Sequence, residues 1–357
     1  MALKPETYFS ASEIARGRRY NRPRYVAALG NAAVGTAVVA AFAVWRPSLG
    51  LPWWLEAPAL AALVLAAAEV ARLPLGWWSG YVHEHRWQLS TQTPRSWLVD
   101  RVKGYAVGAV LTGGTMLALV ALARAFPDGW VWAAAGGGAL LVLLLGFVAP
   151  IVLEPIFNRF EPLADAELHE RLRELSVRAG APVREVLVAD ASRRTRRANA
   201  YVSGFGRTRR LVLFDTFLEA AGPGELEVVT AHELGHRRRR DPLKQTVLGM
   251  AGVAGAAVVL WLVLGEDAGD PRNVPVALLV LELLELAAMP GVAAISRGWE
   301  RAADRFALEL TRDDAAFEAL FRRFAVMNIA DLDPPRAVRL FLGTHPTVPE
   351  RIATVRE

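Results

Sequence analysis

His232, Glu233 and His236 stand at the spacing H-E-x-x-H within "TAHELGH". On a helix, residues four apart project from one face, so the two imidazoles could share one zinc ion while the adjacent glutamate reaches the attacking water. Zinc lowers the pKa of its water to about 7, which makes a nucleophile available near neutrality. Such a centre also asks for a third protein ligand and one open position. The pattern occurs by chance as well, so its surroundings must carry part of the argument.

For the third ligand the candidate is Glu300, in "SRGWERAADRFALEL". Glu300 and Asp304 are four apart, so a second helix could turn both toward the metal helix. The first would ligate, and the second would accept an N–H from a ligating histidine and fix its tautomer. Arg297, Arg301 and Arg305 are interspersed, so a solvated helix with charge pairs fits the same spacing, and spacing alone leaves both open. His83 and His85 flank Glu84 but face different ways on a helix, and His169 lies among charges. His345 follows a Gly-Thr turn in "LGTHPTVPERI". A lone histidine there is usually structural, yet beside a zinc site it could stabilise the oxyanion of a tetrahedral intermediate. With no cysteine in 357 residues, disulfides and thiolate ligands or nucleophiles are excluded.

The elements that position these groups are mostly membrane-like. The chain is 53% hydrophobic yet 22% charged, which requires segregation into apolar runs and charged connections. Apolar runs near 25–45, 55–78, 104–126, 130–153, 243–265 and 274–295 each reach the roughly 20 residues that span a bilayer as a helix. Trp45, Trp53, Trp54, Trp77, Trp78 and Trp130 sit at or beside their ends, as an aromatic belt would. Arginines concentrate before the first run, around Arg86–Arg101, between 157 and 242, and in the C-terminal tail. Six spans with both termini inside put all of these on the cytoplasmic face. The basic pI near 9.9 then reflects cytoplasmic loops and not a nucleic-acid partner. Arginine far outnumbers lysine, a composition that fits a GC-rich bacterial genome and hence an inner membrane.

These readings place a cytoplasmic segment at 1–24, four spans with a cytoplasmic loop 79–103 within 25–153, a cytoplasmic zinc-peptidase part at 154–242, two spans at 243–295, and cytoplasmic helices at 296–357. Within the peptidase part, Asp165 caps a helix that Gly180 ends, and 185–189, 200–202 and 210–214 read as strands, with Gly204 and Gly206 in a turn. "GPGELEVV" breaks the chain and opens the metal helix beside an edge strand, which could hold an extended peptide. The helices after the last span run over 296–311, 314–327 and 346–355.

"RANAYVSGFGRTRRLVLFDTFL", "TAHELGH", "SRGWERAADRFAL" and "THPTVPERI" together resemble the type I CAAX prenyl proteases, integral-membrane zinc metallopeptidases, and "EHRWQLSTQT" and "APIVLEPIFNRFEPL" are similar to that family's loop and approach to its soluble part. The resemblance implies one zinc per chain held by His232, His236 and Glu300, with Glu233 as general base and Asp304 behind a ligand. It also implies that Asn199 holds the substrate backbone and that His345 and Arg351 assist on the oxyanion side. The family fold is a mainly α, multi-span helical barrel that encloses a chamber, with a small α+β zinc-peptidase domain. Members often carry seven spans, and an extra N-terminal one is not evident here, which would leave the chamber less closed. Substrates would be peptides or proteins, with or without a lipid group, met among membrane lipids; the oligomeric state is not implied. Membrane heat-shock proteases share the zinc motifs with fewer spans. A different class, a carboxylate-relay transporter, is raised by Glu69, Glu282 and Glu285 inside the spans.

Overall fold

The computed structural model describes residues 5–204 and 210–356. In chain order its helices begin with α1 (Ala11–Trp45), α2 (Trp53–Trp77), α3 (His83–Arg86), α4 (Pro94–Ala125), α5 (Trp130–Val148) and α6 (Glu154–Phe157). Strand β1 (Phe160–Pro162), helix α7 (Ala166–Arg178) and strands β2 (Glu185–Ala189), β3 (Ala200–Ser203) and β4 (Arg210–Phe214) follow. Then come α8 (Asp215–Ala220), α9 (Pro223–Arg238), α10 (Asp241–Leu264), α11 (Val274–Thr311), α12 (Asp314–Met327), α13 (Arg336–Phe341) and α14 (Val348–Ala353).

Among the described residues six helices are long and apolar enough to cross a bilayer. In lipid a chain must satisfy its own backbone polar groups, so runs rich in Ala, Leu and Val close into helices. Val26, Val110, Trp132 and Leu262 stand exposed on these spans, a surface suited to lipid and penalised in water. The spans close a ring, because α1 packs on α2, α2 on α4, α4 on α5, α5 on α10, α10 on α11, and α11 back on α1. One apolar core fills the end of the ring far from the peptidase part, with Leu60, Met116, Trp130, Leu260 and Val274. Toward the other end a cavity of about 390 Å³ opens, lined by Asn31, Glu69, Arg72, Ser79, Trp97 and Arg101.

The peptidase part holds a sheet in the order β1-β2-β4-β3, with β2 and β4 parallel and the outer pairs antiparallel. β3 is therefore an edge. Asp165 accepts from the Leu168 N–H at 3.0 Å and caps α7, and Gly180, at φ +66°, ends it. Gly204 takes φ +81°, while Gly206 lies outside the described residues. A second apolar core, with Leu172, Leu211, Phe217, Leu234, Phe317 and Phe321, ties α7, the sheet, α9 and α12 together.

Several boundaries differ from the sequence reading. The line drawn at 24 falls inside α1, which starts at Ala11 behind the Ser10 cap and continues through Pro23. The line at 295 falls inside α11, a single 38-residue helix with Pro290 in it. Packing against neighbouring elements carries the helices through these prolines. Two π turns, Trp78–Val82 and Ala149–Leu153, lengthen α2 and α5 at their peptidase ends. The final expected helix splits into α14 and a 3-10 turn, Thr354–Arg356.

Candidate metal centre

Three elements converge on one point. α9 opens at Gly222, whose N–H donates to Glu225 at 2.6 Å, and buries Val228, Val229 and Leu234. That fixes the rotation that turns His232 and His236 away from the core. α10 leaves the ring's peptidase end and α11 returns to it, so the second half of α11 lies across α9. Gly235 permits the approach: a Cβ there would sit 3.1 Å from the Phe306 ring and 3.3 Å from the Ala303 Cα.

The contact assembles a ligand set. His232 Nε2 and His236 Nε2 are 3.2 Å apart, and each lies 3.3 Å from a Glu300 carboxylate oxygen. Donors about 2.0–2.1 Å from a tetrahedral zinc would be spaced about 3.3–3.4 Å from one another, so the edges match. The protonation pattern points the same way. His232 Nδ1 lies 2.9 Å from Asp304, and His236 Nδ1 lies 3.1 Å from Asp241. Each imidazole with its proton on Nδ1 turns a bare Nε2 lone pair inward. Two Nε2 lone pairs and a carboxylate then face one point, Glu300 Oε2 is buried without a hydrogen-bond partner, and the Arg351 guanidinium flanks the set at 3.4 Å from His232 Nε2 and 3.6 Å from Glu300. Such an arrangement calls for a cation. Burial and the Arg351 cation press the His232 imidazole down, yet Asp304 and Glu300 together hold it up at about 9, the same demand expressed through a proton. The residues fit a divalent metal with N/O preference.

Around this set the other expected residues fall at different distances. Burial pushes the Glu233 carboxyl up from its ordinary range, and the neighbouring Glu300 adds to this while both histidines oppose it. His345 brings Nε2 to 3.3 Å from Glu300, on a side chain 58% exposed, with Thr344 at 2.9 Å from Nδ1. Arg351 is buried and forks onto Asp304 at 2.8 and 2.5 Å, with its guanidinium 4.1 Å over the Phe321 ring. Asn199 is exposed at the start of β3, its side chain accepting from the Ala200 N–H at 3.0 Å.

Asp241 was absent from the sequence reading. It is 3% exposed, holds His236, and takes Lys244 at 2.7 Å. The available signal was an acid five residues beyond the second histidine, past the turn that Arg240 makes at φ +59°. Of the four arginines in that turn, Arg238, Arg239 and Arg240 are exposed, while Arg237 donates to the Val202 carbonyl at 2.6 Å.

Asp304→Ala removes the partner of a buried cation. Loss of one member of a buried pair costs about 3–5 kcal/mol, and loss of an outer partner of a metal ligand costs about 10–100-fold in affinity. The variant is expected to unfold at a lower temperature and to need a higher free zinc concentration for half occupancy. Thermal unfolding and zinc titration in a metal buffer measure the two effects separately.

Inside the ring Glu69 pairs with Arg101, and Glu282 accepts from Thr36 at 2.8 Å and faces Arg72 at 3.3 Å. Glu285 is exposed. Two of the three carboxylates are thus neutralised in place, which suits a polar interior more than a relay.

Residues 162–357 match the sequence profile of peptidase family M48, and residues 11–159 match that of the CAAX prenyl protease N-terminal region, described as five membrane helices. Four of the spanning helices start within that second match. The uncharacterized metalloprotease YhfN of Bacillus subtilis is 30% identical over 296 residues, covering 78% of this chain and 68% of its own length. CAAX prenyl protease 1 of Saccharomyces cerevisiae is 28% identical over 186 residues, covering 52% of this chain and 41% of its own length. The crystal structure of S. mikatae Ste24p aligns with a TM-score of 0.80 over 97% of this chain and 89% of that one, at 20% identity. That likeness speaks for the fold, a chamber-forming barrel of membrane helices. The matches carry the peptidase reading and neither the heat-shock nor the transporter alternative. The chain belongs to peptidase family M48 and is an integral-membrane metalloprotease of the CAAX prenyl protease type.

Proposed function

We propose that the chain is a zinc endopeptidase that cleaves membrane-associated peptides, with or without a lipid group, at the cytoplasmic face of a bacterial inner membrane. The observation that carries it is the convergence of two Nε2 atoms and one carboxylate within 3.2–3.3 Å. His232, His236 and Glu300 would hold the metal, with Asp304 and Asp241 fixing the histidine tautomers. Zinc bound there supplies Lewis-acid activation of a water and of the scissile carbonyl. Glu233 takes a proton from the attacking water onto a carboxylate oxygen and returns it to the departing amine. His345 lies on the open side of the site, placed to donate to the oxygen that gains negative charge. β3 supplies a strand edge for the substrate backbone, with Asn199 at its start and Arg351 bracing the site through Asp304. The domain lines rest on the apolar runs and the sidedness on the arginine distribution, and Arg238–Arg240 would meet the anionic leaflet where α10 begins.

A lipid group on the substrate is supported by a groove of about 230 Å³ between α2 and α4, lined by Val70, Leu73, Leu98, Val102 and Tyr105 and bordered by the Glu69–Arg101 pair. Burying as few as two methylenes contributes about 1.6 kcal/mol, more than tenfold in binding. A farnesylated CAAX peptide is expected to show at least tenfold higher kcat/KM than the same peptide without its lipid. Equal values for the two in liposomes would remove the lipid from this reading and leave the endopeptidase standing.

A further inference from the structure

The edge strand β3 is tied to the membrane helices at both of its ends. Before it, Arg197 donates to Glu84 at 2.8 Å, and Glu84 also takes the Tyr20 hydroxyl and faces Arg24 at 3.4 Å. At its far end, Ser203 Oγ donates to Glu154 at 3.0 Å and Tyr201 Oη reaches it at 3.4 Å. Arg210, paired with Ser203 across the sheet, donates to Glu154 at 3.0 Å and to the Pro150 carbonyl at 2.5 Å.

The two carboxylates share an unusual placement. Glu84 lies two residues past the π turn Trp78–Val82, and Glu154 directly follows the π turn Ala149–Leu153. A π turn inserts one residue, which rotates everything beyond it by about 100° around the helix axis. Uninterrupted α-helices would aim both side chains elsewhere. Each span thus spends an irregular turn on presenting one carboxylate to one end of the same strand. Between these ties, the Val202 carbonyl accepts Arg237 from α9, so the membrane helices hold β3 at both ends and α9 holds it between them.

We propose that Glu84 and Glu154 are positioning residues for the peptide substrate. Acting through Arg197 and through Ser203 and Arg210, they fix the height and register of β3 over Glu233, so that the separation of the α2 and α5 spans is passed to the bound peptide. The proposal rests on reading β3 as the substrate edge. A backbone clamp remote from the scissile bond acts on ground state and transition state alike, so its loss raises KM and spares kcat.

The test uses Glu84→Gln, Glu154→Gln and the double variant of the full chain in liposomes, with zinc content, thermal unfolding, KM and kcat measured on one peptide. The expected result is unchanged zinc, a KM raised roughly tenfold in each single variant and further in the double, and kcat within about threefold. A purely structural role would lower the unfolding temperature and the active fraction, hence apparent kcat, at constant KM. Unchanged KM in the double variant overturns the proposal. Should either glutamine variant fail to fold, Ser203→Ala removes a single bond to Glu154 and is expected to raise KM about threefold; no change there also overturns it. Asn199→Ala separates the two layers. If it raises KM while the glutamate variants do not, only the positioning role fails; if none raises KM, β3 is not the substrate edge.

Discussion

Glu233→Gln is expected to keep its zinc and to lose hydrolysis. The amide matches the carboxylate in shape, and Glu233 is not among the groups that converge on the metal position, so occupancy should stay near one per chain. What disappears is an oxygen able to accept a proton from the attacking water and pass it to the leaving amine. General-base and general-acid assistance each contribute typically 10²–10⁴-fold, and here one residue provides both. A drop in kcat of at least about 10³-fold follows, with substrate binding retained. Zinc analysis and cleavage of a prenylated CAAX peptide or casein report the two halves. Equal cleavage by variant and wild type would falsify the peptidase mechanism. Because binding survives, the same variant in a cell should trap its substrates, and comparative membrane proteomics would then name them.

Glu300→Ala is expected to fail one step earlier. Two histidines without a carboxylate leave a divalent ion with too few ligands and less charge compensation. The loss in affinity should exceed the roughly 10–100-fold that follows removal of an outer partner. The purified variant should therefore contain little zinc, and its activity should vanish with the metal. A second effect follows from Arg351, 3.6 Å from Glu300, which would keep Asp304 as its remaining acid in contact. Unchanged zinc stoichiometry would take Glu300 out of the ligand set, whatever the activity showed.

Much of this was legible in the residues because its signals are local. The H-E-x-x-H spacing, the apolar runs, the Asp165 cap and Gly180 each act within a few residues, and each lies where the pattern put it. Glu300 was a candidate that only tertiary contact could separate from a solvated acid, since its helix also carries arginines at charge-pair spacing. Continuity through residue 295 was hidden because the polarity changes there while the backbone does not. Asp241 left only the weak signal of an acid five residues past the second histidine, and the ties of Glu84 and Glu154 left none in spacing. Their partners lie across a helix break or in another element, and the π turns that aim two of them leave no mark in hydrophobic periodicity. β1 escaped as well: three residues ending in proline, Phe160–Pro162, pair only because β2 offers an edge.

The single helix α11 has a mechanical meaning. Its first part is a membrane span and its later part carries Glu300, so the proposed third ligand rides on a rod anchored in lipid. From Pro290 to Glu300 is about 15 Å at 1.5 Å per residue, and a 10° change of tilt about that proline would carry the carboxylate by about 2.6 Å. Spans change tilt by such amounts to match the local bilayer thickness. The ligand spacing is only 3.2–3.3 Å, so the packing of Ala303 on Gly235 and the fork of Arg351 on Asp304 must absorb that lever. With Glu300 as a ligand, metal affinity would be a property of protein and bilayer together. A lipid too thick or too thin for α11 works against the metal centre from the far end of the same helix.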